Sequence, residues 1–223
     1  MRYSLKGNLV PLAEGEEPES GAKIIEVVTR QEYMIKFDGL LHQKLLVHNH
    51  SAQYCKADLL KECVIGTFVI PDKNDILRRE AEFDFYMNQD QFLFVDDSGK
   101  AAEVLEDLVK VEIYDKTYIA HFLFEFMEYL IKDDVLCLQK YENYLSELEE
   151  RIINGNVKDV NHEMLRIRKK LLIMEKYYRQ LADVSESLES NTNHLFTEED
   201  YRVFALYANR VSRLYDNTQT LKE

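Results

Sequence analysis

The placement of proline and glycine most strongly limits what this chain can form. All three prolines, Pro11, Pro18 and Pro71, lie in the first 71 of 223 residues, and Gly155 is the only glycine after Gly99. Because these two residue types interrupt helices, the second half of the chain is free to form long ones. The sequence therefore predicts two parts with different secondary structure.

The first half has the alternation and turn signals of a mixed α and β fold. Thr29, followed three residues later by Glu32, predicts the cap of a short helix that begins at Arg30. A second, amphipathic helix is expected over 100–109. Apolar and β-branched runs predict four strands, of which the last two form a hairpin: 23–29, 63–70, 82–87 and 91–95.

Apolar residues in the second half recur at steps of three and four. One uninterrupted helix is predicted from about Thr117 to Ile153, with Asp134 as the polar position of its apolar seam. Asn154-Gly155-Asn156 predicts its end, and a second helix over 157–189 is expected to return as an antiparallel, coiled-coil-like partner. Residues 133–150 carry six acids and one base, and residues 158–180 carry seven bases and three acids, which favours this pairing.

A third long helix is predicted to begin at Thr197, which can form a capping box with Asp200. Its apolar spacing runs to Glu223 without a stop signal, so the helix is expected to continue. The predicted fold class is α+β, with an N-terminal α/β/α domain built on a mixed sheet. The predicted divisions are this domain, a long helical hairpin and the start of the third helix: 1–116, 117–196 and 197–223.

Charge and composition narrow the function classes. The chain has 28 basic and 41 acidic residues, a net charge of −13. Such a surface disfavours nucleic acid and anionic lipid as partners. The sequence has no run near the roughly 20 apolar residues of a membrane helix and no signal-peptide pattern. Three cysteines without a paired motif suit a reducing compartment, so the composition predicts a cytoplasmic protein.

Residues 118–150, which run from Tyr-Ile-Ala-His-Phe to Glu-Leu-Glu-Glu, resemble the first long helix of the CorA family of divalent-cation transporters. Residues 56–70, beginning Lys-Ala-Asp-Leu-Leu, are similar to the Lys-led strand of that family's cytoplasmic α/β domain. Residues 197–223 look like the start of its stalk helix. The likeness covers most of 55–223, and the family's Gly-Met-Asn motif, which belongs to the membrane part, is absent from this sequence.

The resemblance implies a regulatory, gating domain on the cytoplasmic side of a membrane. The full-length protein would be a homopentameric channel for Mg²⁺ or another divalent metal ion, with membrane helices after Glu223. The stalk helix would transmit domain motion to the pore. Two apolar spans, with Gly-Met-Asn after the first, are expected in the sequence that follows Glu223, and a stop codon there would contradict this reading.

The resemblance also implies a regulatory divalent cation, such as Mg²⁺, held between subunits by carboxylates. One of the family's acids is matched in this chain, by Glu128 on the first long helix. The other positions fall at Leu46, Val47 and Ala208, which carry no charge. A single carboxylate is a weak Mg²⁺ site. Asp200 and Asp216 are the alternative acids on the third helix.

The sequence leaves two further metal-dependent sites as alternatives. His42, the His48-Asn49-His50 run and Cys55 could form a zinc cluster, although their spacing matches no strong zinc pattern. The Asp96-Asp97 pair after a strand could serve Mg²⁺-assisted phosphoryl transfer, or simply form a turn.

No phosphate loop or nucleophile motif is present, so an enzyme is not expected. The aromatic residues of 118–144 are expected to be core. The alternative function is a soluble adaptor whose helical hairpin recruits a partner helix.

Overall fold

The structure is a computed structural model that describes residues 1–36, 53–111, 118–155 and 159–222. Its strands are β1 Arg2–Lys6, β2 Asn8–Leu12, β3 Lys23–Val28, β4 Lys56–Leu60, β5 Cys63–Pro71, β6 Arg79–Met87 and β7 Gln91–Val95. Its helices are α1 Arg30–Lys36, α2 Lys100–Lys110, α3 Ile119–Ile131, α4 Asp134–Ile153, α5 Val160–Ser190 and α6 Glu198–Thr220. The predicted α+β class is confirmed.

The strands form one seven-stranded mixed sheet in the order β2-β1-β3-β7-β6-β5-β4. Among the described strands, β3 and β7 pair in parallel and every other neighbouring pair is antiparallel. The four predicted strands and the β6–β7 hairpin are confirmed. The β1–β2 hairpin was not predicted, and the Lys-led segment over 56–70 is two strands that turn back at Lys61 and Glu62.

Phenylalanine side chains join one face of the sheet to the helices. Phe126 on α3 packs edge-on against Phe83 of β6, with ring centroids 5.9 Å apart, and also contacts Phe94 of β7. Both strands alternate, so every second ring reaches this face. Phe122 and Phe126 are fully buried, which agrees with the core prediction, whereas Tyr118 at the start of this segment is half exposed.

Gly66 in β5 marks a close approach within this core. A side chain at this position would meet the Lys56 carbonyl oxygen at 2.3 Å and the Phe85 ring at 2.4 Å. Contacts that short would displace backbone on one side and a packed ring on the other. The position therefore requires glycine for the β4–β5 pairing, and not for any turn.

The opposite face of the sheet carries α1, which starts at the predicted cap: the backbone N–H of Thr29 donates to Glu32, and that of Glu32 donates to the Thr29 hydroxyl. Asp84 of β6 lies buried on this face. Its carboxylate accepts a 2.8 Å hydrogen bond from the Thr67 hydroxyl and lies 3.4 Å from the Arg30 guanidinium. Burial raises the pKa of Asp84 to about 6.

The long helix predicted from Thr117 to Ile153 is wrong in one respect, because the chain turns at 132–133 between α3 and α4. The cause is Lys73, in the loop after β5. Its Nζ donates to the Leu130 carbonyl at 2.7 Å and lies 2.5 Å from a carboxylate oxygen of Asp134. A cation stabilises the carboxyl end of α3, and an acid stabilises the amino end of α4.

The helical hairpin predicted for the second half is formed by α4 and α5, which meet through the buried residues Leu148, Ile167 and Leu171. The charge pairing expected between them is not seen, since no ion pair joins α4 to α5 within the described residues. Helix α5 packs most extensively against α6 and also covers β4 and β5. Whether the seam is a coiled coil, and where the domains divide, stay predictions.

Helix α6 begins at the predicted capping box, in which Thr197 and Asp200 bond each other's backbone N–H groups. Of the six residues predicted to line its apolar face, Leu221 is partly buried and the other five are buried: Phe204, Tyr207, Val211, Leu214 and Thr218. In the part of the chain that the structure describes, no helix combines the length and apolar character that a membrane crossing requires.

Asp84 predicts a pH dependence. Because its folded pKa of about 6 lies above its unfolded value, the stability linked to this group is fully present below about pH 4 and is lost as pH rises through about 6. We expect Asp84→Asn to gain about 2 to 3 kcal/mol in free energy of unfolding, relative to wild type, between about pH 4 and about pH 7.5.

Urea unfolding of both proteins at the two pH values measures this difference. Asp216→Asn, which removes an exposed carboxylate from α6, controls for the change in net charge. Parallel pH curves for Asp84→Asn and wild type would contradict the expected linkage.

Candidate functional site

Glu128, the predicted metal ligand, lies on α3 where that helix faces α6. Its side chain is 19% exposed, and its Oε2 accepts a hydrogen bond from Nη1 of Arg210. The Arg210 guanidinium also lies near the Phe124 ring, 5.9 Å from its centroid. The structure therefore places a fixed cation beside the one carboxylate that matches the family's pattern.

Two opposing effects act on this carboxylate. Burial raises the pKa of Glu128, and the neighbouring Arg210 guanidinium lowers it, with burial the larger effect. The second oxygen, Oε1, is buried and accepts no hydrogen bond from the described residues. The ion pair is thus a compensating contact that offsets the cost of burying the acid.

The residues present do not complete a divalent-cation site around Glu128. Mg²⁺ takes about six oxygen ligands at close range. In the described part of the chain, no three His, Cys, Asp or Glu side chains are placed so that together they could hold a metal ion. A dication would also be repelled by the guanidinium that already occupies the carboxylate.

The other acids considered on α6 have different surroundings. Asp200 is buried, holds the capping box with Thr197 and lies 3.9 Å from His121. Asp216 is exposed on the same helix, and Ala208 is half-buried. The positions of Leu46 and Val47 lie outside the described residues.

The Asp96-Asp97 pair acts as a turn and helix cap. One oxygen of Asp96 accepts from the backbone and hydroxyl of Ser98, and the other accepts from the backbone N–H of Ala101 at 2.7 Å. Asp97 accepts from the backbone N–H of Arg30. These local bonds occupy both Asp96 oxygens, as the turn interpretation expected.

Of the possible zinc ligands, Cys55 alone lies within the described residues; His42, His48 and His50 lie outside them. The Cys55 thiol is buried between β4 and β5, where it donates to the Val69 carbonyl and accepts from the Val69 N–H. Burial raises the pKa of Cys55 to about 12. At neutral pH the side chain is therefore a thiol and not a thiolate ligand.

A second polar contact, which the sequence reasoning missed, holds the end of α6. Glu175 on α5 is buried and accepts hydrogen bonds from Gln219 and Lys222, and from Arg179 at 3.4 Å. Arg179 in turn donates to the Tyr215 hydroxyl at 2.7 Å. The available signal was that Glu175 falls on the apolar stripe of α5, four residues after the buried Leu171.

The Glu128–Arg210 contact yields a stability prediction. Arg210→Ala leaves a mostly buried carboxylate without its cation, so we expect the free energy of unfolding to fall by about 1 to 2 kcal/mol, a value kept low because the guanidinium is half exposed. Urea unfolding at neutral pH measures it.

Arg213→Ala is the matched control, because Arg213 is exposed one turn further along α6 and forms no ion pair with the described residues. Equal losses in the two variants would show that the Glu128 contact contributes nothing.

Comparison with known proteins supplies solved structures and no sequence match. No family model matches this chain, and no curated protein matches it by sequence. The structure of full-length CmaX aligns with a TM-score of 0.77 over 99% of this chain and 72% of that chain, at 14% identity.

Two structures from Methanocaldococcus jannaschii are similar as well. The complete CorA magnesium transporter aligns with a TM-score of 0.74 at 19% identity, over the whole of this chain and 73% of that one. The soluble domain of the same protein aligns with a TM-score of 0.72 at 18% identity, over the whole of this chain and 92% of that one. The resemblance read from residues 55–223 is confirmed at the level of fold, and it extends over the whole chain: the protein has the CorA soluble-domain fold.

Proposed function

We propose that this chain is the cytoplasmic regulatory domain of a CorA-like transporter for Mg²⁺ or another divalent cation. In this proposal the full-length protein is a homopentamer in the membrane, and α6 is the start of the stalk helix that leads to the pore. The observation that carries the proposal is the match to an entire CorA soluble domain, sheet and helices together, over 92% of that domain.

The packing of α6 suits a helix that transmits motion. It lies against α3 and α5 along its buried face, and α3 in turn packs on the sheet. Two charged contacts, Glu128–Arg210 and Glu175–Lys222, tie the middle and the end of α6 to these neighbours. Because a packed core shifts between discrete arrangements and does not deform continuously, movement of α3 or α5 would carry α6 with it.

Glu128 remains a predicted ligand for a regulatory cation between subunits. Such a site would need further carboxylates from outside the contact described above, and it would have to displace Arg210. The described contact therefore suits an ion pair within one chain, in which the Arg210 guanidinium holds α3 to α6, better than it suits a metal site.

The proposal is tested by expressing the chain with the sequence that follows Glu223, reconstituting it in liposomes and measuring Mg²⁺ uptake with an internal fluorescent indicator. We expect uptake that empty liposomes lack. If neither Mg²⁺ nor another divalent cation enters, the proposal is wrong. The variant Glu128→Gln tests the predicted metal ligand in the same experiment. If the Glu128 carboxylate binds a regulatory cation, its removal should change how external and internal Mg²⁺ affect the uptake rate.

The contact at Glu175 gives a second prediction. Glu175→Gln removes the charge that holds Lys222 and Arg179, so the last two turns of α6 should open more readily. We expect amide hydrogen exchange over 211–220 to quicken about tenfold, the equivalent of losing one charge-assisted hydrogen bond.

Glu186→Gln is the control, since Glu186 is an exposed acid on the same helix. Unchanged exchange in Glu175→Gln would mean that this contact does not hold α6. In liposomes, the same variant should change the uptake rate while Glu186→Gln should not.

The adaptor alternative has one observation in its favour. Large apolar side chains stand exposed on the hairpin: Val135, Leu136 and Ile153 on α4, and Met164 and Leu165 on α5. A partner helix could cover such positions. This reading requires no membrane segment, so the uptake experiment separates the two proposals.

A further inference from the structure

A cleft of about 270 Å³ lies between α4 and α5, next to the loop that carries Lys73. Its floor includes the buried side chains of Cys137 and Ile167, and the rings of Tyr141 and Tyr144 line it from α4. The concavity follows from the turn at 132–133, which directs α4 away from the sheet. The two helices then meet at Leu148, Ile167 and Leu171.

The cleft is basic although the chain is acidic. Four cations line it against one acid, Glu163, in a protein whose net charge is −13. The cleft beside it, around Lys100, differs in this respect, because Lys100 is paired there with Glu80 and Glu103. The cations that line the cleft are Lys73, Lys140, Arg166 and Lys170.

Most of this charge forms no ion pair within the described residues. Lys73 is engaged by Asp134, and Glu163 accepts a 2.9 Å hydrogen bond from the Tyr144 hydroxyl. Lys140, Arg166 and Lys170 form no ion pair with any described residue, and Lys170 Nζ lies 6.0 Å from the Tyr141 ring centroid.

Leaving these three cations together costs stability. Arg166 and Lys170 are one turn apart on α5, a spacing that brings like charges within about 5 to 6 Å at Cβ. Lys140 faces them from α4. Glu142 and Glu147 on α4 are exposed, and among the described residues neither forms an ion pair with these cations. A bound anion would relieve the repulsion and gain charge-assisted hydrogen bonds.

The chemistry of the lining favours phosphate. Guanidinium and ammonium groups converging on one concavity match the charge and the oxygen acceptors of a di- or polyphosphate group. Burial raises the pKa of Tyr141 to about 12, so its hydroxyl stays protonated and can donate. A cavity of this size takes a pyrophosphate group, while the rest of a larger ligand would extend along the tyrosine rings to solvent.

We propose that the cleft between α4 and α5 binds the phosphate groups of a small molecule of the nucleoside diphosphate class, held by Lys140, Arg166 and Lys170. This inference is independent of the transport proposal, since it concerns binding by the domain alone.

Isothermal titration calorimetry on the whole 223-residue chain, at low ionic strength and without Mg²⁺, tests it with three probes: pyrophosphate, ADP and adenosine. We expect pyrophosphate and ADP to bind and adenosine not to bind. If ADP binds more tightly than pyrophosphate, the tyrosine rings also contact the ligand. If the two bind equally, the protein recognises the phosphate groups alone. Absence of binding by both phosphate probes at millimolar concentration would overturn the proposal.

Arg166→Glu and Arg168→Glu form a matched pair, because both reverse one exposed charge on α5 and only Arg166 lines the cleft. We expect Arg166→Glu to weaken pyrophosphate binding by at least tenfold, about the effect of one charge-assisted contact. Arg168→Glu should stay close to wild type. An equal loss in both variants would show that binding follows net charge and not the cleft, and would overturn the assignment.

Thermal unfolding shows whether a loss of binding in Arg166→Glu comes from loss of the fold. Arg166→Glu should melt close to the wild-type temperature, because the lost repulsion from Lys170 is offset by a new repulsion from Glu163, three residues away on α5. Pyrophosphate should raise the melting temperature of wild type above that in NaCl of equal ionic strength, and this rise should vanish in Arg166→Glu. If Arg166→Glu unfolds early, Lys170→Gln replaces it, with the same loss of binding expected and retained affinity contradicting the proposal.

Discussion

The arrangement of the helices depends on one half-buried cation, Lys73. Its ammonium group donates to the Leu130 carbonyl at the end of α3 and pairs with Asp134 at the start of α4. The positive ammonium group stabilises the carboxyl end of α3, which carries a partial negative charge. The negative Asp134 carboxylate stabilises the amino end of α4, which carries a partial positive charge. The chain therefore turns at 132–133, so that α3 stays on the sheet while α4 leaves it. The cleft between α4 and α5 is a consequence of this turn, and Lys73 lines one side of it.

Apolar burial and charged contacts have different roles in this structure. The phenylalanines of β6, β7 and α3 supply the large apolar area that stabilises the fold. Asp134 and Glu175 are buried and Glu128 is mostly buried, and each pairs with a cation that is distant in the sequence. Because burial of an acid costs more than one ion pair returns, these contacts define the relative positions of α3, α4, α5 and α6 more than they add stability.

Local patterns predicted much of the fold. The caps at Thr29 and Thr197, the alternation in β6 and the apolar face of α6 all depend on residues within a few positions of one another, and all are confirmed. The break before Asp134 was missed because its cause, Lys73, is 57 residues away from Leu130. Glu128 was found as a candidate ligand from its place on the first long helix, whereas Arg210, its partner 82 residues away, carried no comparable signal.

The sequence by itself determined most of the helices and four of the seven described strands, since periodicity, caps and breakers act through neighbouring residues. It also determined the net charge of −13 and the surplus of bases on α5. Only the tertiary structure decided which charges meet. The acids of α4 were expected to favour its pairing with the bases of α5, but no ion pair joins the two helices among the described residues. Asp134, the buried acid of α4, pairs with Lys73 instead. Lys140, Arg166 and Lys170 are left together in the cleft because the energy of an ion pair depends on the distance between side chains in space, which spacing along the chain does not specify.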